Sequence, residues 1–262
     1  KVSKIAHDAK SLARENLLDG VVFDTALAAY LVNPGVRAQE LPDLLERWGD
    51  GAQIDSSSPE QSLLTSATAL FKLRDSLLTE MKDRGVLALF TDLELPIAHL
   101  LAVMENRGIA VDRKELEKLA VFFEGEVARE TKAAHLAAGH EFNVGSPKQL
   151  QVVLFDELNL PKTKKIKTGF TTDAEALNWL FEKTKHPLLE SLLRIRETKK
   201  LGTTVEGLIA EIGNDGRIRT HFAQTVAATG RLSSVGPNLQ NIPVRTEEGR
   251  SIRNAFIADK GF

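Results

Sequence analysis

The chain has 262 residues, 42% of them hydrophobic and 27% charged, which is an ordinary composition for a protein that folds in water. It contains no cysteine, and this excludes disulfide bonds and thiolate-bound metal ions. No apolar run approaches the roughly eighteen residues that span a membrane, and no signal-peptide pattern opens the chain. We therefore expect two or three domains and no membrane partner.

Charge is distributed unevenly between the two halves of the chain. The net charge is −2, but residues 1–140 hold 16 Lys and Arg against 22 Asp and Glu, whereas residues 141–262 hold 18 against 14. A partner that carries phosphate groups is therefore expected to bind the second half.

Capping boxes predict where four helices begin. In each of them a Ser, Thr or Asp is followed three residues later by Glu or Gln, and the four caps are Ser58, Thr91, Asp112 and Ser146. Apolar positions at helical spacing follow each cap. A further helix is predicted over residues 186–207, and alternation from Ile218 to Val226 predicts a strand.

The segment Pro161–Gly169 carries four lysines within six positions. Lysine is a mobile point charge that suits phosphates better than bases, and its binding to DNA depends on salt rather than on sequence. The helix that begins at Ser146 could also hold a phosphate at its N terminus. The alternative is a solvated loop, which is the usual fate of a charge run.

The stretch from Thr229 to Phe256 is unusually rich in hydrogen-bond donors. It contains four arginines, three side-chain amides and three hydroxyls, and it is interrupted by Gly236 and Pro237. Such a surface suits the minor groove of a duplex, where the acceptors barely differ between A·T and T·A pairs. The alternative is a polar loop whose side chains satisfy its own turns.

The order of the residues in this stretch resembles, almost letter for letter, the segment that opens the palm of family A DNA polymerases, the bacterial DNA polymerase I group. The matching pattern is TGRLSSxxPNLQNIPVRTxxGRxIRxAF. Residues 89–112 resemble the family's approach to its thumb, and residues 142–177 resemble the thumb tip, which holds the DNA backbone. The resemblance covers nearly the whole chain, weakly before residue 87 and strongly after residue 140.

The resemblance implies roles for individual residues. Arg231 would contact the minor groove at the primer end, and Asn238, Gln240 and Asn241 would lie against the template and primer nearby. The residues implied to contact the DNA backbone are Asn143, Ser146, Lys148, Lys162, Lys164, Lys165, Lys167, Thr168, Arg196, Lys200 and Arg245. Arg196 and Lys200 match the family's Arg-x-x-x-Lys-Leu pattern, but Val205 stands where the family usually has a tyrosine.

Residues 1–87 resemble part of the 3′-5′ exonuclease domain of this family, a ribonuclease H-like α/β fold. That chemistry needs several carboxylates around two divalent metal ions. Here Asp8 stands where active members have asparagine, and Leu12 stands where they have a metal-binding aspartate. We expect the fold without the chemistry, with Asp8 and Asp24 as caps or surface residues. Further sequence is expected before Lys1.

Together these features imply a mostly helical α+β protein with three parts. They are a partial, inactive exonuclease-like domain (1–87), a helical thumb with the helices that lead into it (88–207), and the first palm segment, where an antiparallel sheet begins (208–262).

The function implied is that of a DNA-directed DNA polymerase, a nucleotidyltransferase that grips primer-template DNA in replication and repair. The substrate would be a dNTP and the cofactor Mg²⁺, in the cytoplasm at the nucleoid. No catalytic or metal-binding residue is expected in this chain, because the family's palm carboxylates would follow Phe262. The segment alone is therefore expected to be inactive, and the remaining palm and fingers are an expected partner. Two alternatives stay open: a duplex-binding module without enzymatic activity, and a 3′-5′ exonuclease with unusual ligands.

Overall fold

Helices make up most of the structure, a computed structural model that describes residues 2–12, 19–36 and 40–258. The first elements in chain order are β1 (Lys4–Ala6), α1 (Ala9–Leu12), β2 (Val21–Asp24), α2 (Thr25–Val32), α3 (Leu41–Trp48), α4 (Pro59–Asp83), α5 (Leu87–Leu89), a π-helical turn (Phe90–Glu94), α6 (Leu95–Arg107) and β3 (Ile109–Val111). The next are α7 (Arg113–Ala138), α8 (Pro147–Gln151), a second π-helical turn (Val152–Glu157), β4 (Lys165–Ile166), β5 (Gly169–Phe170), α9 (Ala174–Thr184) and α10 (Pro187–Ala210). The last are β6 (Arg217–Ile218), β7 (His221–Ala223), β8 (Ser233–Val235), a 3₁₀ turn (Leu239–Asn241), α11 (Glu247–Asn254) and β9 (Phe256–Ile257).

The chain divides into two compact units. Unit 1 comprises Lys1–Ile109 and Arg217–Asn241, and unit 2 comprises Ala110–Gly216 and Ile242–Phe262. The predicted fold class, a mostly helical α+β protein, is confirmed. The three domains predicted from the sequence stay a prediction.

All strands are short. In unit 1, β1 runs parallel to β2 with Ala6 opposite Asp24, and β7 runs antiparallel to β8 with Phe222 opposite Ser234. In unit 2, β3 pairs antiparallel with β9, and β4 pairs antiparallel with β5. Strands of two to four residues cannot form a core by themselves, so each unit depends on its helices.

Helix α4 is the longest helix of unit 1, and its sequence explains both its start and its position. Ser58 caps it by accepting a hydrogen bond from the Gln61 N–H, as predicted, and Pro59 occupies the first turn, where its missing N–H is not needed. Four apolar side chains spaced four residues apart are buried: Ala69, Leu73, Leu77 and Met81. They pack with apolar residues of α2 and α3 in the core of this unit.

Asp24 joins β2 to α2 and is a cap, as expected from the sequence. Its carboxylate accepts hydrogen bonds from the N–H groups of Asp8, Ala9, Ala26 and Leu27, so it serves the start of α1 as well as that of α2. Burial raises the pKa of the Asp24 carboxyl, and the bonds from Ala9 and Leu27 act in the opposite direction. With its oxygens committed to four donors, this carboxylate is a structural group.

A buried ion pair connects α1 to α6. The Lys10 Nζ atom lies 2.5 Å from Glu105 Oε1, and both side chains are 7% exposed. Glu105 Oε1 also accepts from the Phe222 N–H at 2.7 Å, and His221 Nδ1 lies 3.0 Å from Lys10 Nζ. Each of the two buried charges therefore has an oppositely charged partner. Proteins tolerate buried ions under this condition.

Unit 2 is built around two long antiparallel helices, α7 and α10, which pack along each other. Asp112 caps α7 as predicted, by accepting from the Glu115 N–H. The apolar side of α10 includes Leu188, Leu192 and Ile195, and it packs with apolar residues of α8 and α9. The predicted helix over 186–207 is confirmed, with its end extended to Ala210.

An ion pair joins α10 to α11. Arg194 Nη2 donates to Glu248 Oε1 at 2.6 Å, and the two side chains are 32% and 21% exposed. This hydrogen bond from Arg194 lowers the pKa of the Glu248 carboxyl. Because the folded-state pKa lies below the unfolded value, the pair stabilises unit 2 above about pH 4.5, and this contribution is lost as the pH falls through the folded-state pKa.

Replacing Glu248 by glutamine is therefore expected to lower the free energy of unfolding by about 0.5–1 kcal/mol at pH 7 and by much less at acid pH. Urea unfolding at a series of pH values measures the difference. Glu247→Gln is the matched control, because Glu247 lies in the same helical turn and is exposed. An equal loss in both variants at pH 7 would contradict the role given to Arg194.

The predicted helix start at Thr91 was wrong. The helix begins earlier, at Leu87, and passes through the π-helical turn before α6 starts at Leu95. The wider turn accommodates Pro96, whose ring and missing N–H disrupt a regular α-helix one turn upstream. The Thr91 hydroxyl instead bonds to the adjacent Asp92 carboxylate at 2.7 Å.

The same stretch overturns the expectation that no apolar segment is long enough to span a membrane. The helical stretch Leu87–Arg107 has 21 residues, and an 18-residue part of it has a mean hydropathy of 1.6, with 22% of that part buried. By length and composition alone it could span a membrane. However, Phe90, Ala98 and Leu101 are buried within unit 1, and Glu105 is held in the ion pair with Lys10. Length and composition are therefore weak grounds for assigning a membrane partner to this stretch.

Candidate nucleic-acid interface

The donor segment, residues 229–241 of unit 1, is shaped by two buried hydroxyls. Thr220 Oγ1 and Ser234 Oγ lie 2.7 Å apart, and Thr220 also donates to the Pro237 carbonyl at 2.8 Å. Ser234 Oγ accepts from the Leu239 N–H at 3.0 Å. Because these bonds fold the segment back on itself around Pro237, the residues on either side of the turn are presented on the surface.

The four residues predicted to contact the minor groove all lie in this segment, and all are exposed. The side chains of Arg231 and Asn241 form no hydrogen bond or ion pair within the described part of the chain. Gln240 donates through Nε2 to the Leu232 carbonyl at 2.9 Å, and Asn238 Oδ1 accepts from the Gln240 N–H at 3.0 Å. The alternative, a polar loop whose side chains satisfy its own turns, thus holds for only one side-chain group each of Gln240 and Asn238. The other side-chain donors of the four residues are available to a partner.

The remaining arginines of the stretch lie in unit 2 and differ in what they do. Arg253 donates to the carbonyls of Ile242 at 2.8 Å and Pro243 at 3.3 Å, so its guanidinium braces the backbone that precedes α11. Arg250 makes a longer bond, 3.5 Å, to the Arg245 carbonyl. The Arg245 side chain itself is exposed.

The lysine hairpin, residues 162–170 of unit 2, is anchored to α8. Gln151 Oε1 accepts from the Phe170 N–H at 3.0 Å, and the Phe155 and Phe170 rings meet edge to face, 5.4 Å apart. Gly169 adopts a φ of +121°, and a Cβ there would lie 1.9 Å from Gln151 Oε1. Only glycine allows this anchor.

The anchored hairpin presents its charges to solvent. Lys165 pairs with Phe170 and Ile166 with Gly169, which leaves Lys167 and Thr168 in the turn. All four lysines of the hairpin and Thr168 are exposed. The lysine segment is therefore a small hairpin that carries a cluster of exposed positive charge, and not the irregular loop of the alternative interpretation.

Three further predicted residues lie at the start of α8, Asn143 and Ser146 in the turn before it and Lys148 in its first turn. Ser146 caps α8 as predicted, by accepting from the Gln149 N–H at 3.4 Å, and Asn143 Oδ1 accepts from the Gly145 N–H at 2.9 Å. Pro147 has no N–H, and the Gln149 N–H already has the Ser146 acceptor, so few donors remain at this helix start. Lys148 is exposed and supplies a full positive charge beside them.

Arg196 and Lys200 lie one turn apart on α10. Lys200 is exposed, whereas Arg196 is half-buried. Burial lowers the pKa of the Arg196 guanidinium, and the nearby Asp173 carboxylate raises it. The guanidinium stays charged at neutral pH, as arginine does in proteins.

Sequence reasoning missed two residues near the hairpin. Gln151, one of several amides in a helical segment, gave no signal of its anchoring role. Trp179 of α9 is 41% exposed beside the lysines, and no motif in the sequence pointed to it.

No group of three or more His, Asp or Glu side chains is placed to hold a metal ion within residues 2–12, 19–36 and 40–258. The donors assembled on each unit are instead cations, amides and hydroxyls, which suit a partner rich in acceptors.

Known proteins provide an independent comparison. The sequence model of DNA polymerase family A matches residues 113–262. The DNA polymerase I of Mycobacterium tuberculosis H37Rv is 45% identical over 281 aligned residues, covering 99% of this chain and 31% of that protein. The DNA polymerase I of Bacillus subtilis strain 168 is 37% identical over 257 residues, covering 92% of this chain and 29% of that protein.

A solved structure is also similar to this one. The POL domain of Pol1 from M. smegmatis, in complex with DNA primer-template and dNTP, is 49% identical in sequence, with a TM-score of 0.87. The match covers 99% of this chain and 46% of that chain. This chain thus spans about a third of the length of its curated relatives. Since the family's sequence model covers more than half of the residues, the chain belongs to DNA polymerase family A.

Proposed function

We propose that this chain is the segment of a DNA-directed DNA polymerase that grips primer-template duplex while the whole enzyme extends the primer from dNTP in replication and repair. The observation that carries the proposal is a pair of exposed donor surfaces, one on each unit. The similarity to a POL domain in complex with DNA primer-template and dNTP supports it.

The two surfaces suit different parts of a duplex. The lysine hairpin offers mobile point charges, which neutralise phosphates whatever the sequence. Other residues of unit 2 extend this contact with the DNA backbone. The charged ones are Lys148, Arg196, Lys200 and Arg245, and the polar ones are Asn143, Ser146 and Thr168.

The donor segment offers a guanidinium and amides to minor-groove acceptors, which are present at every correctly formed base pair. Arg231 would lie at the primer end, with Asn238, Gln240 and Asn241 along the neighbouring pairs. Donors used in this way sense the shape of a base pair and not its identity.

We assign the three domains in the same proposal. Residues 1–87 form a ribonuclease H-like, exonuclease-type domain without hydrolytic chemistry, residues 88–207 a thumb, and residues 208–262 the first palm segment. The parallel pair β1–β2 followed by α2 is the part of unit 1 that supports the exonuclease-type fold. The Asp24 carboxylate, already bonded to four N–H groups, supports the absence of hydrolysis.

The cofactor of the whole enzyme would be Mg²⁺, which neutralises phosphate charge during nucleotidyl transfer. The described residues do not fit this role, because they contain no cluster of carboxylates placed to bind a metal ion. We therefore assign no residue of this chain to the metal. The place of action would be the cytoplasm, at the nucleoid.

A pair of lysine substitutions tests the proposal. Lys164→Ala combined with Lys165→Ala is expected to weaken primer-template binding and to lower the slope of log K against log salt concentration by roughly 2, because each lost phosphate contact removes about 0.9 from the slope. Fluorescence anisotropy with a labelled primer-template at several salt concentrations measures both quantities.

Lys114→Ala combined with Lys132→Ala is the matched control. Both lysines are exposed on α7 of the same unit, so the change in net charge is identical. The control variant is expected to leave the slope of log K against log salt concentration almost unchanged. Equal losses in the two double variants would show a general electrostatic effect and contradict the role of the hairpin.

A further inference from the structure

A cavity in unit 2 lies between the lysine hairpin and α9. Its volume is about 600 Å³, within the range of pockets that bind small ligands. The residues that line it are Lys162, Thr163, Lys164, Thr171, Asp173, Glu175, Ala176 and Trp179. Ala176 is buried, whereas Trp179 is 41% exposed.

The indole is held in place but remains accessible. Lys183, one helical turn after Trp179, places its Nζ atom 4.1 Å from the centre of the ring. Trp179 itself lines the cavity, whereas Lys183 is not among the lining residues. A planar group that enters the cavity can therefore stack on it.

The walls beside the indole carry opposite charges. Lys162 and Lys164 lie on the hairpin side, and Asp173 and Glu175 lie at the start of α9. The Ala176 N–H and the Thr171 hydroxyl bond to the Asp173 carboxylate and lower its pKa, so it stays charged at neutral pH. A phosphate is consequently attracted to the lysine side and repelled from the side of α9.

We propose that this cavity holds one unpaired nucleotide, with its base on Trp179 and its phosphate at Lys162 and Lys164. In the interior of a duplex each base is covered by its neighbours on both faces and is not available to an indole, whereas an unpaired base has a free face that can stack there. The same chemistry is offered by a nucleotide within a single strand and by a free mononucleotide. This inference rests on the proposed function, because it gives the lysine hairpin a second role at the edge of the duplex.

Fluorescence of Trp179 tests the stacking directly. The chain has two tryptophans, so Trp48→Phe leaves Trp179 as the only one. Titration of this variant with an octamer of deoxyadenosine is expected to quench the fluorescence saturably, whereas an octamer of abasic sugar-phosphate is not. Deoxyadenosine monophosphate, as a separate titrant, distinguishes a free nucleotide from a strand. If Trp48→Phe does not fold, the difference in quenching between the unmodified chain and Trp179→Phe answers the same question.

Affinity tests the contribution of the ring. With a labelled deoxyadenosine octamer, Trp179→Leu is expected to bind roughly tenfold more weakly, because one base loses its stacking partner. Trp179→Phe, which keeps an aromatic face, is expected to remain within about threefold of the unmodified chain. Binding of a blunt duplex is expected to be unchanged in both variants.

The outcomes separate this inference from the function on which it rests. An unchanged octamer affinity in Trp179→Leu, or equal quenching by the abasic octamer, overturns the assignment of the cavity to a nucleotide. If the unmodified chain still binds a blunt duplex, the proposed function is unaffected by that result. Failure of the unmodified chain to bind a blunt duplex overturns the proposed function and this inference with it.

Discussion

Replacing Arg231 by alanine in the complete polymerase is expected to lower the rate of nucleotide incorporation by about 10²-fold, with a much smaller effect on the affinity for primer-template. The reason is geometric: in the proposed function the Arg231 guanidinium would lie at the primer end, where it would position the reacting terminus and add only one contact to the grip on the duplex. Discrimination against a mismatched primer end is expected to fall together with the rate. Single-turnover kinetics and anisotropy measure rate and affinity separately.

Arg231→Lys is the matched control, because it keeps the charge and loses the planar fork. It is expected to restore affinity more completely than rate. The exposed side chain has no partner among the described residues, so the stability of both variants is expected to change by no more than about 0.5 kcal/mol. Equal losses of rate, discrimination and affinity in Arg231→Ala would indicate a general electrostatic role.

The largest effect on stability is expected from Glu105→Ala. This change leaves the Lys10 ammonium buried without its counter-charge and removes the acceptor of the Phe222 N–H, and breaking a buried pair in this way costs about 3–5 kcal/mol. Urea unfolding of the whole chain measures the loss. Glu80→Ala, which removes an exposed ion pair with Arg84 in the same unit, is expected to cost no more than about 1 kcal/mol.

A double variant separates the two causes of that loss. Lys10→Met combined with Glu105→Leu removes both charges and keeps apolar volume, so it is expected to recover most of the stability and to retain only the cost of the unpaired Phe222 N–H, about 1–3 kcal/mol. If the double variant is as unstable as Glu105→Ala, the loss in Glu105→Ala does not come from leaving the Lys10 charge unpaired.

Local features of the fold could be predicted from the sequence because their causes are local. The caps at Ser58, Asp112 and Ser146 need only a side-chain oxygen and an N–H three residues later, and all three form as predicted. Thr91 satisfied the same pattern and does not cap, because the helix already begins at Leu87 and passes through the π-helical turn Phe90–Glu94. The four-residue pattern contains no signal of either feature.

Features made by residues distant in sequence could not be predicted in the same way. Alternation from Ile218 to Val226 indicated the inward side chains only in part, since Ile218, Thr220 and Gln224 are buried but Val226 is 56% exposed. The predicted single strand is also wrong in extent, because pairing is limited to the short strands β6 and β7. Lys10 and Glu105 are separated by 95 positions, and nothing in either segment identifies its partner.

The candidate site divides along the same line. The exposed lysines and the donors near Arg231 were predictable from residue types and from their resemblance to family A polymerases. The cavity beside Trp179 was not, because it depends on how the anchored hairpin meets α9.

The brevity of β4 and β5 has a consequence for solubility. A charged ribbon that projects into solvent exposes unpaired backbone groups along its sides, and long ribbons of this kind recruit strands from other molecules into aggregates. Strands of only two residues, with Lys164 and Lys167 on either side of β4, offer almost no template for such recruitment. The protein can therefore keep this strand edge exposed for the binding of a polyanion, as proposed above, without promoting aggregation with its own copies.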